Sequence, residues 1–281
     1  MFPSRNLRGP VGVLGDHDSL VRWIHAVKDQ FRIPAGWDDV FDLQVRNQAK
    51  WITSVAMSHR GDGPWDAMVT QVEWVLAASS RGASSAVSPD LLPRCVFGLD
   101  APGWLRCAWL CQRLCGPLAL AVRPHLWRLR KLLALFKKGA HDVETSYRFI
   151  TIMQQHGLLQ EHILAARVID QMRASISMYQ SGYMSDVSDP KLCLHELAAQ
   201  YKAANRVLLA ILGDLIKAFP RAWRDLLLER IHTVGGFRDG MMALIASILS
   251  EDEWLVTLSG VSWVRVKEGV PEGSRIGPPS F

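Results

Sequence analysis

Two apolar stretches near the middle of the chain, Leu129–Phe136 (LRKLLALF) and Tyr147–Met153 (YRFITIM), decide the fold. A polar loop of Gly, His, Asp and Glu separates them, which is typical of two strands joined as a hairpin. Periodic apolar positions predict helices at 156–173, 189–204, 220–232 and 238–249, and short strands around 254–258 and 263–266. Strands crossed by helices in this way favour an α/β or α+β fold, of which we expect α+β.

The chain before the hairpin is rich in tryptophan and predicts helices. The first helix is capped by Asp18 or Ser19, the second covers 37–57, and the third follows the turn at 61–64. Their predicted inward residues are Leu20, Trp23, Ile24, Val27 and Phe31, then Val40, Phe41, Trp51, Ile52 and Val55, then Met68, Val69, Val72, Val75 and Leu76. A small-residue linker at 79–89 precedes a helical segment at 91–122. We therefore expect a helical N-terminal region of unknown role at 1–125, and a second domain at 126–281.

Composition excludes a disordered chain and suggests a class of partner. The 281 residues are 49% hydrophobic and 21% charged, with a net charge of +5 and a pI near 9.1. A mild basic bias suits a nucleic-acid partner without requiring one. The basic residues between Arg123 and Lys138 form either a binding strip or a solvated face of a helix or strand.

Neither a membrane span nor a metal-binding cysteine cluster is predicted. The longest apolar stretch, 104–122, contains two arginines and a proline, which favours a buried or interfacial helix. The first residues lack the apolar core of a secretory signal, so we expect an intracellular protein, nuclear or cytoplasmic. Cys107, Cys111 and Cys115 recur every four residues, which indicates a buried helix stripe.

Two further segments carry chemistry. The apolar run 207–211 is followed by Leu212–Phe219 (LGDLIKAF), which predicts a buried strand that delivers Asp214 at its end. The last residues, Gly269–Phe281 (GVPEGSRIGPPSF), combine proline and glycine at spacings unsuited to a helix or strand. Such a turn suits a place where main chain lies against a nucleotide.

These segments together resemble reverse transcriptases of the non-LTR retrotransposon type, over residues 128–281. Segment 135–139 is similar to that family's F-K-K-G motif, 146–151 to N-Y-R-P-I, and 180–183 to Q-x-G-F/Y. Segment 214–219 looks like D-x-x-K-A-F, and the tail resembles G-V-P-Q-G-S. The resemblance implies the fingers at 126–190 and the first part of the palm at 191–281 of an RNA-directed DNA polymerase.

The resemblance also implies site residues and ligands. Asp214 would be the catalytic carboxylate, and Asp214 with the backbone carbonyl of Leu215 would hold Mg²⁺. Residues implied to bind the nucleotide are Lys138, Arg148, Phe219, Glu272 and Gly273. The implied partners are an RNA template, a DNA primer and a dNTP, with no membrane. The later Asp-Asp hairpin of the family is missing, so the chain is expected to be a truncated copy that is inactive alone.

Several positions depart from the family pattern. Glu272 replaces a glutamine, Ser146 an asparagine, Phe149 a proline, and Pro220 an aspartate. These differences, with the truncation, suggest a decayed copy. Two alternatives stay open: a non-catalytic nucleic-acid-binding protein that keeps the fold, and a helical interaction protein whose N-terminal half does the work.

Overall fold

The computed structural model describes residues 17–31, 38–59, 69–79, 123–141, 143–177, 180, 182, 190–215, 217–250, 252–256, 262–266 and 268–277. The predicted linker beyond Ser79, the helical segment at 91–122 with its three cysteines, and residues 278–281 of the tail motif lie outside these residues. In the described part of the chain, no helix is long and apolar enough to cross a membrane.

The described elements group helices and strands in separate runs, three helices, two strands, four helices and two strands, which confirms an α+β fold. The helices are α1 (His17–Gln30), α2 (Asp39–Ser58), α3 (Gln71–Ser79), α4 (Gln155–Met172), α5 (Pro190–Ala203), α6 (Arg224–Thr233) and α7 (Asp239–Ile248). The strands are β1 (Leu129–Phe136), β2 (Tyr147–Met153), β3 (Asp252–Val256) and β4 (Ser262–Val266). Short 3₁₀ turns cover His125–Arg128, Glu144–Ser146 and Phe219–Arg221. Predicted elements after residue 128 agree within a few residues, apart from the strand at 207–211.

The four strands form one mixed sheet in the order β2-β1-β3-β4. β1 and β2 pair antiparallel as predicted, with Phe136 opposite Tyr147 and Arg130 opposite Met153. β1 also pairs with β3 in parallel, and β3 pairs antiparallel with β4. A parallel pair requires a long crossover, and α4 to α7 lie within that connection.

One hydrophobic cluster joins α1 to the sheet. Trp23 and Val27 of α1, and Phe31 directly after it, are buried against side chains of β1, β2 and β4. The Trp23 ring meets Tyr147 edge-on at 5.2 Å and Phe149 at 6.0 Å. Such aromatic pairs stabilise beyond the area they bury. The predicted inward face of α1 is therefore confirmed at these three positions.

A second cluster joins α2 to the helices after the sheet. Ala49, Ile52 and Ala56 of α2 are buried with residues of α4, α6 and α7. α2 begins where Asp38 accepts hydrogen bonds from the backbone N–H groups of Val40 and Phe41, at 2.9 and 3.1 Å. The helices before residue 80 thus share both clusters with the chain after 125, so residues 125 and 126 do not mark a packing boundary. The division of the chain into two domains with separate functions stays a prediction.

The predicted inward faces of α2 and the third helix are wrong at most positions, although Ile52 and Val69 are buried as predicted. In α2, Val40, Phe41, Trp51 and Val55 are exposed, and the buried face runs through Val45, Ala49, Ile52 and Ala56. In α3, Val72 and Leu76 are exposed, whereas Trp74, Ala77 and Ala78 are buried. Both helices carry apolar residues around much of their circumference. Periodicity therefore could not select the face, and the alanine stripes suit close helix contacts instead.

The strand predicted at 207–211 is not formed. Residues 206–215 have no regular secondary structure, and Val207, Leu209 and Ile211 are 91%, 83% and 90% exposed. A continuous apolar run becomes a strand only where a neighbouring strand completes its hydrogen bonds. None of the four described strands pairs with this segment. α5, which precedes it, likewise has no buried residue.

Candidate functional site

A large cleft, of about 1430 Å³, lies between the outer edge of the sheet and the helices around it. Its walls come from α1, α3 and α4, from the hairpin of β1 and β2, and from the segments 214–220 and 271–275. Six of the seven predicted site residues line it: Arg148, Asp214, Leu215, Phe219, Glu272 and Gly273. The seventh, Lys138, is exposed at the hairpin tip and does not line the cleft.

Arg148 is presented by a well-paired strand. β2 alternates in burial, so Tyr147 and Phe149 point into the core while Arg148 is exposed. The hairpin end is closed by the N–H of Lys137, which donates to the carbonyl of Ser146 at 2.8 Å. The Tyr147 hydroxyl also donates to the carbonyl of His141 at 2.9 Å. The guanidinium of Arg148 therefore projects from a rigid support into the cleft.

The turn that carries Glu272 is pinned from one side by a buried carboxylate on α4. Glu161 accepts hydrogen bonds from the Ser274 hydroxyl at 2.7 Å and from the Arg275 N–H at 3.0 Å. Its other oxygen pairs with Arg123 at 2.5 Å, and both side chains are fully buried. The N–H of Thr151 in β2 donates to the carbonyl of Glu272 at 3.3 Å. The turn is thus tied to both α4 and the sheet.

From the other side, a buried arginine at the start of α6 holds the same turn. The Nε of Arg224 donates to the carbonyl of Gly269 at 2.7 Å, and one terminal nitrogen donates to the carbonyls of Leu249 and Ser250. The N–H of Val270 donates to the carbonyl of Phe219 at 2.8 Å. Phe219 and the turn are therefore fixed relative to each other.

Sequence reasoning missed Glu161 and Arg224. A signal was present for Glu161, because Gln160 and Glu161 interrupt a run of apolar positions in α4 that are buried: Leu158, Leu159, Ile163, Leu164 and Ala165. A carboxylate on such a helix face needs a partner of opposite charge. Nothing in the sequence identified Arg123 as that partner, because the two are 38 residues apart.

The described residues do not form a site for two metal ions. Asp214 is exposed on the irregular segment 206–215, and Leu215 is 78% exposed. A two-ion site needs several oxygen ligands fixed around positions about 4 Å apart. Among the described residues, no group of three or more His, Cys, Asp or Glu side chains could hold a metal. Asp214 and the backbone carbonyl of Leu215, the implied Mg²⁺ ligands, therefore stay a prediction.

Two charged residues that line the cleft, Lys217 and Glu73, have pKa values shifted by their surroundings. Burial lowers the pKa of Lys217, and the nearby positive charges of Arg221 and Lys137 lower it further. At another residue that lines the cleft, hydrogen bonds from Arg167 lower the pKa of Glu73 to about 2. That guanidinium contacts both carboxylate oxygens of Glu73, at 2.6 and 2.9 Å. Glu73 is consequently committed to an ion pair.

The predicted basic strip between Arg123 and Lys138 is not a continuous surface. Arg123 and Arg130 are each only 1% exposed, whereas Lys137 and Lys138 are exposed. Arg123 is held by its ion pair with Glu161. The alternative of a solvated face is wrong for the same two arginines, because burial removes them from solvent. Of the lysines and arginines in the strip, Lys137 and Lys138 at the hairpin tip are exposed, and Arg128 and Lys131 are half-buried.

Three departures from the family pattern are built into the packing. Phe149 is buried against Trp23, Ser146 is buried and closes the hairpin, and Pro220 is buried in the 3₁₀ turn beside Phe219. Pro220 also packs against Gly269 of the tail motif. At these three positions, the residue that differs from the family pattern is therefore buried against neighbouring residues of the fold.

Comparison with known proteins gave no identification. Neither a scan against protein-family models nor a search of curated proteins found a match to this chain.

Proposed function

We propose that this chain carries the nucleotide-binding part of a polymerase related to the non-LTR reverse transcriptases, and that it binds nucleotide and nucleic acid without extending a primer. The observation that supports this is the convergence of Arg148, Asp214, Phe219 and Glu272 on one cleft. They lie in three segments distant in sequence. The family resemblance implies that Arg148, Phe219 and Glu272 bind the nucleotide and that Asp214 is the catalytic carboxylate beside it.

The chemistry of the cleft suits a phosphate-bearing ligand. Arg148 offers a planar, permanently charged fork that can donate two parallel hydrogen bonds to phosphate. Phe219 supplies a partly buried aromatic ring on the same cleft, where a sugar would lie beside it in the family. The volume of about 1430 Å³ exceeds the range typical for drug-sized ligands, roughly 300–1000 Å³, and leaves room for a nucleotide with an adjoining strand.

Equilibrium binding of a dNTP and of a single-stranded RNA tests the proposal. Arg148→Ala is expected to weaken dNTP binding by about ten-fold, which is typical when one charge-assisted hydrogen bond is removed. Arg206→Ala is the matched control, because Arg206 is exposed but does not line the cleft. Equal dNTP affinity of the Arg148→Ala variant and the unchanged chain would contradict the proposal.

Primer extension is expected to be absent with either Mg²⁺ or Mn²⁺. Asp214 has no grouped carboxylates around it among the described residues, and one carboxylate does not organise two ions. Template-directed incorporation of dNTP that Asp214→Asn abolishes would show that the chain is an active polymerase.

A second candidate is an interaction protein, and α5 with the segment that follows it favours this function. Leu192 of α5 is 57% exposed, and Leu209 and Leu212 beyond it are 83% and 87% exposed. Exposed apolar surface of this extent is often covered by a partner. Specific capture of a partner that Leu209→Ser and Leu212→Ser together abolish would support this candidate over nucleotide binding.

A further inference from the structure

Residues 206–215, here called the exposed segment, leave the end of α5 in a fixed direction and run between two turns. The N–H of Arg206 donates to the carbonyl of Tyr201 at 2.8 Å, which closes the last turn of α5. Asn205 before the segment and Lys217 after it both have a φ of +55°. Between them, no residue of the exposed segment has a positive φ. Its backbone can therefore pair as a strand without passing through the left-handed region.

The exposed segment has no backbone partner in the described part of the chain. The N–H groups of residues 207–215 donate no backbone hydrogen bond to any described residue, and none of these residues is buried. Most of its side chains are apolar: Val207, Leu208, Leu209, Ile211, Leu212 and Leu215. An apolar run with unpaired backbone groups is a ready template for pairing with another strand.

The sequence of the exposed segment is complementary to itself when two copies run antiparallel. If Ala210 lies opposite Ala210 of a second copy, Leu209 lies opposite Ile211. Arg206 near one end then lies opposite Asp214 near the other, and this charge pair occurs twice because the arrangement is symmetric. Directly opposite side chains on antiparallel strands are about 5 Å apart, and apolar pairs and opposite charges both stabilise them.

Other arrangements of two exposed segments lose this complementarity. A register shifted by one residue places Arg206 opposite Gly213 or Leu215 instead of Asp214. A parallel pair in register places Arg206 opposite itself and Asp214 opposite itself, and like charges directly opposite are destabilising. The charges therefore favour one antiparallel register, which has twofold symmetry and closes on itself.

The surface available around the exposed segment is large enough for a specific dimer. A standard protein interface takes about 20–30 residues a side. α5 and the exposed segment together, residues 190–215, form a run of this length in which no residue is buried. Isolated helices shorter than about 12–15 residues are marginal in water, so the 14 residues of α5 also gain from a partner.

We propose that two copies of this chain associate through their exposed segments, paired antiparallel about Ala210, with α5 supplying the rest of the interface. Asp214 lines the cleft, so the pairing places Arg206 of a second copy at the margin of that cleft. The inference does not rest on nucleotide binding. It gives the second candidate function a partner of defined sequence, which is the chain itself.

Sedimentation of the full chain over a wide range of concentration tests the association. We expect a monomer–dimer equilibrium. Leu209→Ser with Ile211→Ser removes the apolar pairs beside the axis and should weaken dimerisation by about ten-fold or more. Val40→Ser with Leu43→Ser is the matched control, because both side chains are exposed on α2, and it should dimerise like the unchanged chain. A chain that stays monomeric at every concentration would overturn the proposal.

Single cysteines test the register of the pair. With Cys193→Ser as the background, Ala210→Cys should give a disulfide-linked dimer under mild oxidation, because the two thiols face each other across the axis. Val207→Cys is the matched control, because it would face Gly213 of the second copy. The background chain measures any linkage through the other cysteines. Equal linkage at positions 210 and 207 would indicate random collision and would overturn the register.

A charge exchange tests the orientation of the two strands. Arg206→Asp should weaken dimerisation by about five-fold, since it places like charges opposite each other at both ends. Adding Asp214→Arg should restore dimerisation, because the opposite charges are then exchanged. Removing the charge alone, as in Arg206→Ala, should change little, because exposed ion pairs contribute little. If the exchanged pair fails to restore association, the antiparallel arrangement is wrong.

Two further outcomes separate this proposal from the other functions. Open-ended aggregates, dissolved by Leu209→Ser with Ile211→Ser, would show that the exposed segment pairs without closing, and would overturn the twofold dimer. If the chain is monomeric and Arg148→Ala still weakens dNTP binding, the dimer is excluded while the proposed nucleotide-binding function survives. If the chain dimerises as described and Arg148→Ala has no effect on dNTP binding, the dimer stands and nucleotide binding does not.

Discussion

Gly269 connects the tail motif to the rest of the cleft through its backbone. Its φ is +78°, and a Cβ at this position would collide with the carbonyl of Pro220 and the ring of Phe31. Its N–H donates to the carbonyl of Ala222 at 2.8 Å, and its carbonyl accepts from Arg224 at 2.7 Å. Both the backbone angle and the close approach therefore require glycine at this residue.

Gly269→Ala should destabilise the protein more than Gly236→Ala. Gly236 has a similar φ of +70°, but the nearest atom to its added Cβ is an amide nitrogen of Gln171 at 3.6 Å. Gly236→Ala, the control, should therefore lower the free energy of unfolding only by the backbone strain, about 1–2 kcal/mol. Gly269→Ala adds a steric clash to that strain and should lower it by about 3 kcal/mol or more. Urea unfolding measures both. Equal destabilisation by the two substitutions would show that the chain relaxes around Gly269.

Glu272→Gln should strengthen dNTP binding. Glu272 is partly buried, its side chain lines the cleft, and its carbonyl is fixed by Thr151. Two like charges about 4 Å apart repel by about 4 kcal/mol at an effective dielectric near 20, before counterions screen them. A neutral amide would remove that repulsion and could donate a hydrogen bond. Equal or weaker dNTP binding by the Gln variant would show that the carboxylate is tolerated or used.

At the scale of single elements, the start of α3 is stabilised by a capping box. Thr70 donates from its N–H to Glu73 at 2.8 Å, and the N–H of Glu73 donates back to the Thr70 hydroxyl at 3.2 Å. The same carboxylate pairs with Arg167 of α4. One side chain therefore both begins α3 and attaches it to the helix that lines the cleft.

The ion pair between Glu73 and Arg167 should make the free energy of unfolding depend on pH in the acidic range. The pKa of Glu73 falls from 4.5 to about 2 on folding, so its contribution is present above pH 4.5 and is lost as the pH falls toward 2. Because Glu73 is partly exposed, we expect a contribution of about 1 kcal/mol. Urea unfolding near neutral pH and at about pH 3 should show a smaller drop in stability on acidification for Glu73→Gln than for the unchanged chain. An identical drop in both proteins would contradict this assignment.

The two exposed lysines at the tip of the β1–β2 hairpin are expected to contribute to nucleic-acid binding. Lys137→Ala with Lys138→Ala should weaken binding of all sequences similarly, because the exposed lysines contact phosphates rather than bases. The slope of log K against log salt should fall by about 0.7–0.9 for each phosphate that the variant no longer neutralises. Arg130→Met should leave the slope unchanged, since Arg130 is 1% exposed. A slope that responds to Arg130 instead would contradict the burial seen in the structure.

At the scale of the whole molecule, the Arg123–Glu161 pair connects the start of the described hairpin region, α4 and the tail turn. Removing one partner would leave a buried charge without compensation, and should cost about 3–5 kcal/mol. Arg123→Met and Glu161→Gln are each expected to be strongly destabilising. The double variant should be less destabilised than the sum of the two. Urea unfolding of all four proteins gives the coupling energy, and simple additivity would show that the pair does not act as a unit.

The sequence predicted much of this architecture where local and global preferences agree. The hairpin of β1 and β2 has an alternating or continuous apolar pattern, a polar loop and an immediate partner, so local information was enough to predict it. The helices from α4 to α7 were predicted for the same reason. The faces of α2 and α3 were not, because apolar residues surround both helices and only the neighbouring surface selects one side.

The sequence by itself determined the α+β class, the strand hairpin and the motif positions that converge on the cleft. Only the tertiary structure decided that α1 and α3 help to wall the cleft, that Arg123 and Arg130 are buried, and that 207–211 has no strand partner among the described strands. The physical reason is the separation along the chain between the residues that interact. Helices and hairpins depend on neighbours along the chain, whereas burial, ion pairing and strand pairing depend on residues brought together by folding.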